Sequence, residues 1–365
     1  MHIPTVLQFG TSRFLQAHAD LFLSEAFPGE RPVTVVQTSG DPSRASRAAA
    51  MAQGYDVRIR GLQDGAPLDE TRHVTSVARG LTLGPDLAEV TQLIAGPVDM
   101  ILSNTADAGF RQRPEDAAPR FDPAMSYPAK LAHLLRHRFD AGGAPIQVMP
   151  TELVRNNGAV LRDLVLTVAQ RMDRPYRDWL AGEVTWVNSL VDRIVSEPLE
   201  PAGGVAEPYA LWAIEAQPGL VVPCDHPDID VVQDLGRVER RKLFVLNLGH
   251  TWIISAWLAQ GRTGAVYVRD VMENADWAAQ LQELYETEVL PGFAAAGEIG
   301  GLADYIATTL ERFANPFLDH RLEDIAQNHD EKLQRRIAAF IQWARGNGDT
   351  GTKPRLTAAL EGKTT

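Results

Sequence analysis

Short apolar runs of strand length alternate with longer amphipathic stretches through the first half of the chain, and few folds accept such a pattern. The runs are rich in Val and Ile and lie at 6–9, 33–37, 99–102, 146–149 and 184–187. Stretches between them, such as 129–139 and 159–171, have helical periodicity. This alternation predicts an α/β domain with a doubly wound parallel sheet covered by helices on both faces.

The pattern changes near residue 234. A Pro/Gly-rich loop at 197–204 precedes three strand-like pieces, 211–214, 220–222 and 229–232, that are expected to extend the sheet. Helical patterns then dominate, at 240–259, 275–290, 305–313 and 332–344. The sequence therefore predicts a Rossmann-like domain over residues 1–234 and a mostly α-helical domain over residues 235–365.

Charge and cysteine content exclude several classes of partner. The chain has 35 Lys and Arg against 47 Asp and Glu, a formal net charge of -12, so we expect no nucleic-acid partner and no anionic membrane partner. A single cysteine, Cys224, excludes an intrachain disulfide and a thiolate-rich metal site. No histidines have the spacing of a zinc protease, and we expect no metal. The start of the chain lacks a secretory-signal pattern, so a cytoplasmic location is expected.

A glycine turn, Phe9-Gly10-Thr11-Ser12-Arg13-Phe14, follows the first strand, with a helix expected from about Leu15. In doubly wound sheets this turn holds the pyrophosphate of a dinucleotide, because free backbone N–H groups favour negative charge there. Only Gly10 matches the usual three-glycine pattern and Ser12 occupies the second glycine position, so an ordinary strand-to-helix turn is the alternative.

The ends of the next two strands bear on the choice of dinucleotide. The second strand ends at Gln37 without an acidic residue for the ribose hydroxyls, so NAD and NADP are not separated, and Arg44 and Arg47 leave NADP open. Asn104 and Thr105 follow the next central strand, where they either line the cofactor crevice or cap the following segment.

The strongest chemical signal is the polar set Lys242, Asn247 and His250 within an apolar helical stretch. On an α-helix Asn247 lies about 140° and His250 about 80° round from Lys242, so the three share a broad face. Polar groups in so apolar a segment need partners. A substrate pocket would use the amine as an acid/base and the amide as a donor to a developing alkoxide. A snorkelling lysine with backbone-satisfied Asn and His is the structural alternative.

These segments together resemble the polyol-specific long-chain dehydrogenase/reductase family, which includes mannitol dehydrogenase and tagaturonate and fructuronate reductases. The similarity runs nearly the whole length. It includes Leu7 to Gly10, Ser103 to Gly109, Tyr127 to Leu131, Pro150 to Leu153, Asn188 to Ile194, Glu207 to Trp212, the Lys242/Asn247/His250 set and Arg312 to Pro316. The likeness is closest to the uronate reductases. Ser12 and Gln16 depart from the family pattern, and the chain is C-terminally short for the family.

The resemblance implies a metal-independent, NAD-linked oxidoreductase, with NADP not excluded, that interconverts a secondary alcohol and a ketone on a sugar acid or polyol. It implies Lys242 as general acid/base, Asn188 and Asn247 as donors to the reacting oxygen, and His250 as the residue that orients a substrate hydroxyl. The expected cofactor-binding residues are Phe9, Gly10, Ser12, Arg13, Phe14, Gln37, Asn104 and Thr105. The expected substrate-binding residues are Glu152, Asn156, Arg193, Arg312 and His320.

Two other functions remain open from the sequence. A non-catalytic sugar-acid binding or sensor protein would share the fold and explain the weak glycine loop, and a lyase or isomerase would use Lys242 as a Schiff-base amine. A hydrolase is disfavoured, because no G-x-S-x-G elbow occurs. We expect a monomer or a homodimer.

Overall fold

A computed structural model describes residues 2–39, 42–105 and 107–362. Its strands are β1 Val6–Phe9, β2 Val33–Gln37, β3 Tyr55–Gln63, β4 Ala66–Val74, β5 Val77–Thr82, β6 Met100–Ser103, β7 Ile146–Pro150, β8 Val184–Trp186, β9 Ser189–Asp192, β10 Val195–Pro198, β11 Gly204–Ala206, β12 Leu211–Glu215 and β13 Ile229–Val232. The first helices are α1 Arg13–Gln16, α2 Ala19–Ala26, α3 Pro42–Met51, α4 Leu87–Ala95, α5 Tyr127–Asp140, α6 Asn157–Ala169 and α7 Arg174–Gly182.

The later helices are α8 Leu235–Arg241, α9 Leu248–Ala259, α10 Val268–Glu273, α11 Ala275–Leu284, α12 Leu290–Ala295, α13 Leu302–Phe313, α14 Leu322–Ile325, α15 His329–Lys332, α16 Ala339–Gly346 and α17 Pro354–Leu360. Three π-helical segments, Lys242–Asn247, Tyr285–Val289 and Leu333–Ala338, each join an α-helix before it to one after it. Short 3-10 turns occupy Asp107–Phe110 and Pro114–Ala117.

The central sheet is parallel throughout, in the order β5-β2-β1-β6-β7-β8. Every residue of β1, β2, β6 and β7 is buried, as expected for strands covered on both faces. With β5 counted as the third strand, this is the order of a doubly wound Rossmann sheet, whose switch point lies between β1 and β6. The predicted fold class is confirmed, with a mostly helical C-terminal region.

Two smaller sheets correct the sequence-based expectation. Strands β9, β12 and β13 form a separate three-stranded sheet instead of extending the central one, and residues 220–222 are not a strand. Strands β10, β11, β3 and β4 form a four-stranded sheet. The extension was wrong because β9 pairs with β12 in antiparallel register, which starts a new sheet just after β8.

The chain divides into two compact units. The first contains Met1–Ile59 and Glu70–Leu235, and the second contains Arg60–Asp69 and Gly236–Thr365. In the first unit the apolar core lies between the central sheet and helices α4 to α7. In the second unit the core surrounds α9, with buried side chains from most of the other helices. No described helix is long and apolar enough to cross a membrane.

Candidate active site

The turn after β1 is built around Gly10, whose φ of +117° favours glycine. A Cβ on Gly10 would lie 2.5 Å from the carbonyl oxygen of Asn104, so the turn passes directly against the loop that follows β6. Only a residue without a side chain allows this approach. The two loops thus meet at the switch point of the sheet, where ligands of doubly wound folds bind.

The helix after this turn differs from the expected one. Helix α1 has only four residues, its N-cap Ser12 accepts a hydrogen bond from the amide of Leu15 at 3.2 Å, and the chain turns again at His18 before α2. So short a helix has little macrodipole. A pyrophosphate here would be held by backbone N–H groups of the turn.

A cleft of about 220 Å³ opens at this point of the first unit. Five of the eight predicted cofactor-binding residues line it: Gly10, Ser12, Gln37, Asn104 and Thr105. The prediction omitted Thr11, Thr38, Ser39, Arg44 and Arg47, which also line it. In the sequence, the lack of an acidic residue at the end of β2 drew attention to Arg44 and Arg47. Thr11, Thr38 and Ser39 line the cleft because they lie in the loops that follow β1 and β2.

The other three predicted cofactor residues do not line the cleft. Phe9 is fully buried and packs against Tyr127, with ring centroids 5.6 Å apart, because it points into the core from β1. Arg13 pairs with Glu200 at 2.7 Å. Phe14 stacks on His18 at 4.7 Å. Of the residues from Phe9 to Phe14, only the consecutive Gly10, Thr11 and Ser12 line the cleft, so proximity in sequence to Gly10 was a poor guide.

Glu152 binds the loop after β6, which lines the cleft. It is 2% exposed, and it accepts hydrogen bonds from the Thr105 amide at 2.9 Å, the Thr105 hydroxyl at 3.0 Å and the Ser103 hydroxyl at 3.0 Å. Burial raises the pKa of Glu152, and these donors oppose the rise. The structure therefore shows Glu152 holding the loop after β6, and the substrate contact expected from the sequence stays a prediction.

Asn188 has its side-chain amide fixed in one orientation. Its Oδ1 accepts a hydrogen bond from the Ala159 amide at 2.9 Å, and its Nδ2 donates to a carboxylate oxygen of Glu215 at 2.8 Å. An amide nitrogen carries two hydrogens, so one donor of this half-buried Asn188 is left over. That donor lies just beyond the carboxyl end of β8.

Two predicted substrate residues have other surroundings. Arg193 is 7% exposed and donates to the backbone carbonyls of Glu207 and Ala17, so its guanidinium ties loops together. Asn156 is exposed, with a φ of +52°, just before α6. Its neighbour Asn157 is buried and donates to the carbonyls of Pro150, Glu152 and Ser189. Neither Arg193 nor Asn156 is carried into the functional proposal.

In the second unit, Lys242 and Asn247 begin and end a π-helical segment. A π-turn closes its hydrogen bond between residues five apart, so these two residues lie one turn apart on one face. The α-helical separation of about 140° was therefore wrong, and the true arrangement brings the two closer. Both side chains are half-buried, and the side-chain amide of Asn247 makes no hydrogen bond to the described residues.

A tyrosine on another helix braces the π-turn. The hydroxyl of Tyr285 donates to the carbonyl of Val245 at 2.9 Å, inside the π segment. A Cβ on Gly249 would lie 2.0 Å from that hydroxyl, so glycine at this position is what lets Tyr285 reach the turn. π-turns often occur at functional sites, where they re-aim side chains. The glycine of the Asn-Leu-Gly-His sequence therefore has a packing role that supports the chemistry beside it.

His250 lies in a cationic neighbourhood. Its ring is 7% exposed and contacts Phe313 at 4.3 Å and His320 at 4.8 Å between centroids. Burial is the main cause that holds the pKa of His250 well below its usual range, and the nearby charges add to it. The imidazole is thus neutral at pH 7 and has one donor and one acceptor nitrogen. The groups whose charges act on it are His320, Arg312, Arg336 and Lys332.

These cations come from different parts of the second unit. Arg312, at the end of α13, is 5% exposed, and His320 is half-buried in the loop before α14; both were predicted as substrate residues. Arg336 donates to the Asn247 carbonyl at 3.4 Å and to the Thr251 hydroxyl at 3.1 Å, which ties it to the π-turn. Lys332 and Arg336 were missed, since helical periodicity alone gave them no role.

No group of three or more His, Cys, Asp or Glu side chains in the described part of the chain is arranged to hold a metal ion.

Two family models match the sequence. The mannitol dehydrogenase Rossmann domain matches residues 4–221, and the mannitol dehydrogenase C-terminal domain matches residues 234–361. The chain belongs to the mannitol dehydrogenase family. It is accordingly an oxidoreductase of the kind that acts on CH–OH groups.

Two relatives of this chain are altronate oxidoreductases. An altronate oxidoreductase of Halalkalibacterium halodurans is 30% identical, over 95% of this chain and 72% of that protein. An altronate oxidoreductase of Bacillus subtilis is also 30% identical, over 94% of this chain and 76% of that protein.

A D-sorbitol dehydrogenase structure superposes with a TM-score of 0.83 at 20% identity, covering 98% of this chain and 79% of that one. The Pseudomonas fluorescens mannitol 2-dehydrogenase, solved with NAD and D-mannitol, gives a TM-score of 0.72 at 18% identity, over 98% of this chain and 78% of that one. At these identities the likeness is one of fold.

Proposed function

We propose that this member of the mannitol dehydrogenase family is an NAD-linked hexuronate reductase, which interconverts the ketone of a tagaturonate- or fructuronate-like acid and the secondary alcohol of the matching aldonate. The carrying observation is the cationic neighbourhood of His250, formed by Arg312, Lys332 and Arg336. Arg312 is buried and Lys332 and Arg336 are half-buried, and a set of cations beside a neutral imidazole favours an anionic substrate over a neutral polyol. The altronate oxidoreductase relatives support the same substrate class.

The cleft residues fit a dinucleotide. Gly10 leaves room that a Cβ would fill, and small polar side chains follow β1, β2 and β6 on the same edge of the sheet. When bound, the nicotinamide ring supplies or accepts the hydride. The mannitol 2-dehydrogenase structure that contains NAD has the same fold. The protein's own part is to hold the substrate and to move the proton.

Lys242 is proposed as the proton carrier. When a ketone accepts a hydride at carbon, its oxygen takes up negative charge and then a proton, and the Lys242 ammonium donates that proton. In the reverse direction the neutral amine accepts the proton of the alcohol. The side-chain N–H of Asn247 stabilises the charged oxygen, and His250 orients a neighbouring hydroxyl. Asn188 stays a predicted donor to the reacting oxygen, on the sequence resemblance alone.

The substrate class is tested with the purified protein and a panel of ketoses. Initial rates of NADH oxidation are measured with tagaturonate, fructuronate and neutral fructose. The proposal expects the acids to have a kcat/KM at least about tenfold above that of fructose, because each charge-assisted contact to a carboxylate contributes roughly 1.5–3 kcal/mol. Equal kcat/KM values for the acids and for fructose would show that the substrate carboxylate does not contribute to recognition.

A pair of neighbouring arginines supplies the control. Arg336→Ala should raise KM for the acids and change that for fructose much less, with partial recovery in Arg336→Lys. Arg335→Ala removes a side chain that is 75% exposed in the same π segment, and it should leave both values unchanged. The relatives are named as enzymes, and nothing among them favours the non-catalytic sensor.

A further inference from the structure

The tip of the β3–β4 hairpin, Arg60–Asp69, belongs to the second compact unit. It contacts the end of α13, where the amide of Gly65 donates to a carboxylate oxygen of Glu311 at 2.6 Å. Glu311 directly precedes Arg312, one of the cations that act on His250. The hairpin tip is therefore bound to the helix end that carries a predicted substrate residue.

Arg60 of this tip contacts the loop that joins α13 to α14, residues 314–321, in two ways. Its backbone carbonyl accepts a hydrogen bond from the side-chain amide of Asn315 at 3.2 Å. Its guanidinium lies over the ring of Phe317, with the guanidinium carbon 4.2 Å from the ring centroid. The face of an aromatic ring attracts a cation at this distance. Both contacts hold the first half of the α13–α14 loop against the hairpin tip.

The guanidinium of Arg60 is fixed from a second side. Its Nε donates to a carboxylate oxygen of Asp69 at 3.1 Å, on the opposite strand of the hairpin. A planar guanidinium can bind a carboxylate at its edge while its face stacks on a ring, which an ammonium group cannot do equally well. The ion pair therefore orients the group that Phe317 packs against.

The first half of the loop is also joined to Arg312. The side chain of Asn315 is buried, its Oδ1 accepts a hydrogen bond from the Phe317 amide at 2.9 Å, and its backbone amide donates to the Arg312 carbonyl at 3.4 Å. A displacement of Asn315 or Phe317 would therefore be passed to the backbone of Arg312. Arg312 follows these residues because its own carbonyl is part of the same turn.

The second half of the loop has a different anchor. The Val268 amide of α10 donates to the His320 carbonyl at 3.0 Å, and the Arg269 guanidinium donates to the Leu318 carbonyl at 3.0 Å. His320 in turn contacts the His250 ring. The α13–α14 loop is thus held by α10 next to His320 and by Arg60 next to Arg312.

We propose that Arg60 is a positioning residue for recognition of the substrate carboxylate: by holding Asn315 and Phe317, it keeps Arg312 in place beside His250. This inference deepens the proposed function and rests on it, because it takes Arg312 as a substrate-binding cation. Arg60 acts through the loop and not on the substrate. A mobile Arg312 would have to be ordered when the acid binds, and ordering a side chain weakens binding. A neutral ketose has no carboxylate for this cation, so it is affected much less.

The test measures KM and kcat for tagaturonate and for fructose, with the Kd of NADH determined separately by fluorescence titration. Arg60→Ala should raise KM for tagaturonate at least about fivefold, the scale of a partly buried cation–π contact, and should leave kcat within about twofold of wild type. The KM for fructose and the Kd of NADH should stay unchanged. Urea unfolding shows whether each variant is folded.

Three variants test the contact with the ring. Arg60→Lys keeps a cation above Phe317 and should recover part of the KM for tagaturonate, whereas the uncharged Arg60→Gln should not. Phe317→Leu should reproduce the effect of Arg60→Ala, and the double variant should be no worse than the more affected single variant, because both changes remove the same contact. Arg335→Ala, at an arginine of the same unit that also pairs with a carboxylate, is the matched control and should change neither KM.

Each result supports or overturns the proposal. An unchanged KM for tagaturonate in Arg60→Ala, or an equal rise in KM for tagaturonate and fructose, would overturn the positioning role. Recovery in Arg60→Gln as complete as in Arg60→Lys would also overturn it, because the charge above the ring would then be irrelevant. If Arg60→Ala does not fold, Arg60→Gln and Phe317→Leu are judged by the same measurements.

The wild-type protein separates this inference from the proposed function. If wild type prefers tagaturonate to fructose and the Arg60 variants keep the full preference, the inference fails while the proposed function stands. If wild type shows no preference for the acid, the proposed function fails and the inference fails with it.

Discussion

Replacing Gly249 with alanine should disturb the π-turn, because the added methyl group collides with side chains that pack against this helix. The new Cβ would lie 2.0 Å from the Tyr285 hydroxyl and 3.0 Å from the Phe313 ring, both of which are buried. Overpacking costs about 1–3 kcal/mol. Loss of the hydrogen bond from Tyr285 to Val245 adds about 1 kcal/mol. Gly249→Ala should therefore lower the free energy of unfolding by roughly 2–4 kcal/mol.

The assay is urea unfolding followed by fluorescence, with kcat measured on the folded variant. Gly346→Ala is the matched control, because a Cβ there would meet nothing within 4 Å. Tyr285→Phe should cost about 1 kcal/mol alone and should relieve part of the clash when combined with Gly249→Ala, giving a coupling energy of at least about 1 kcal/mol. Additive effects of the two changes, or a stability of Gly249→Ala equal to wild type, would refute the bracing of the turn by Tyr285.

Three further predictions concern the first unit. Gly10→Ala should weaken NADH binding at least about tenfold in a fluorescence titration, since its Cβ would collide with the Asn104 carbonyl, whereas Gly182→Ala should not. Burial raises the pKa of Asp20 to about 7, well above its unfolded value near 3.8. Its stabilising effect is therefore complete below pH 3.8 and is lost as the pH rises through 7, so Asp20→Asn should flatten the decline in wild-type Tm between pH 5 and pH 8. If the Tm of Asp20→Asn declined with pH as steeply as that of wild type, Asp20 would be ionised in the folded protein over this range. Glu152→Gln leaves one fewer acceptor for the loop after β6, so NADH binding should weaken while kcat at saturating cofactor stays near wild type. A fall in kcat without weaker NADH binding would indicate that Glu152 contacts the substrate.

The central sheet was predictable because its strands are buried on both faces and read as continuous apolar runs. The observed β1 and β2 have the predicted bounds, β6 is shifted by one residue at both ends, and β7 is one residue longer at its end. The segment with β3, β4 and β5 was missed. Strand β3 alternates buried Tyr55, Val57 and Ile59 with polar residues, which is a strand signal that the search for apolar runs overlooked.

The site was predictable in part. Their polarity within an apolar stretch singled out Lys242, Asn247 and His250. Periodicity could not reveal that the first two are joined by a π-turn, because one inserted residue leaves the apolar pattern almost unchanged. The substrate roles of Glu152 and Arg193 stay predictions, and the sequence did not reveal the structural contacts of these two side chains. Both are charged residues in family motifs, and burial among backbone amides and carbonyls gives each a structural task.

The most direct test of the proton-transfer role is a single-turnover measurement of hydride transfer in Lys242→Ala. Wild type and variant are loaded with saturating reduced cofactor and mixed with the best hexuronate substrate, and the loss of cofactor absorbance is followed. We expect the rate to fall at least about 100-fold while the Kd of the cofactor stays unchanged, because Lys242 serves the proton and not the dinucleotide. A hydride-transfer rate close to that of wild type would contradict the account.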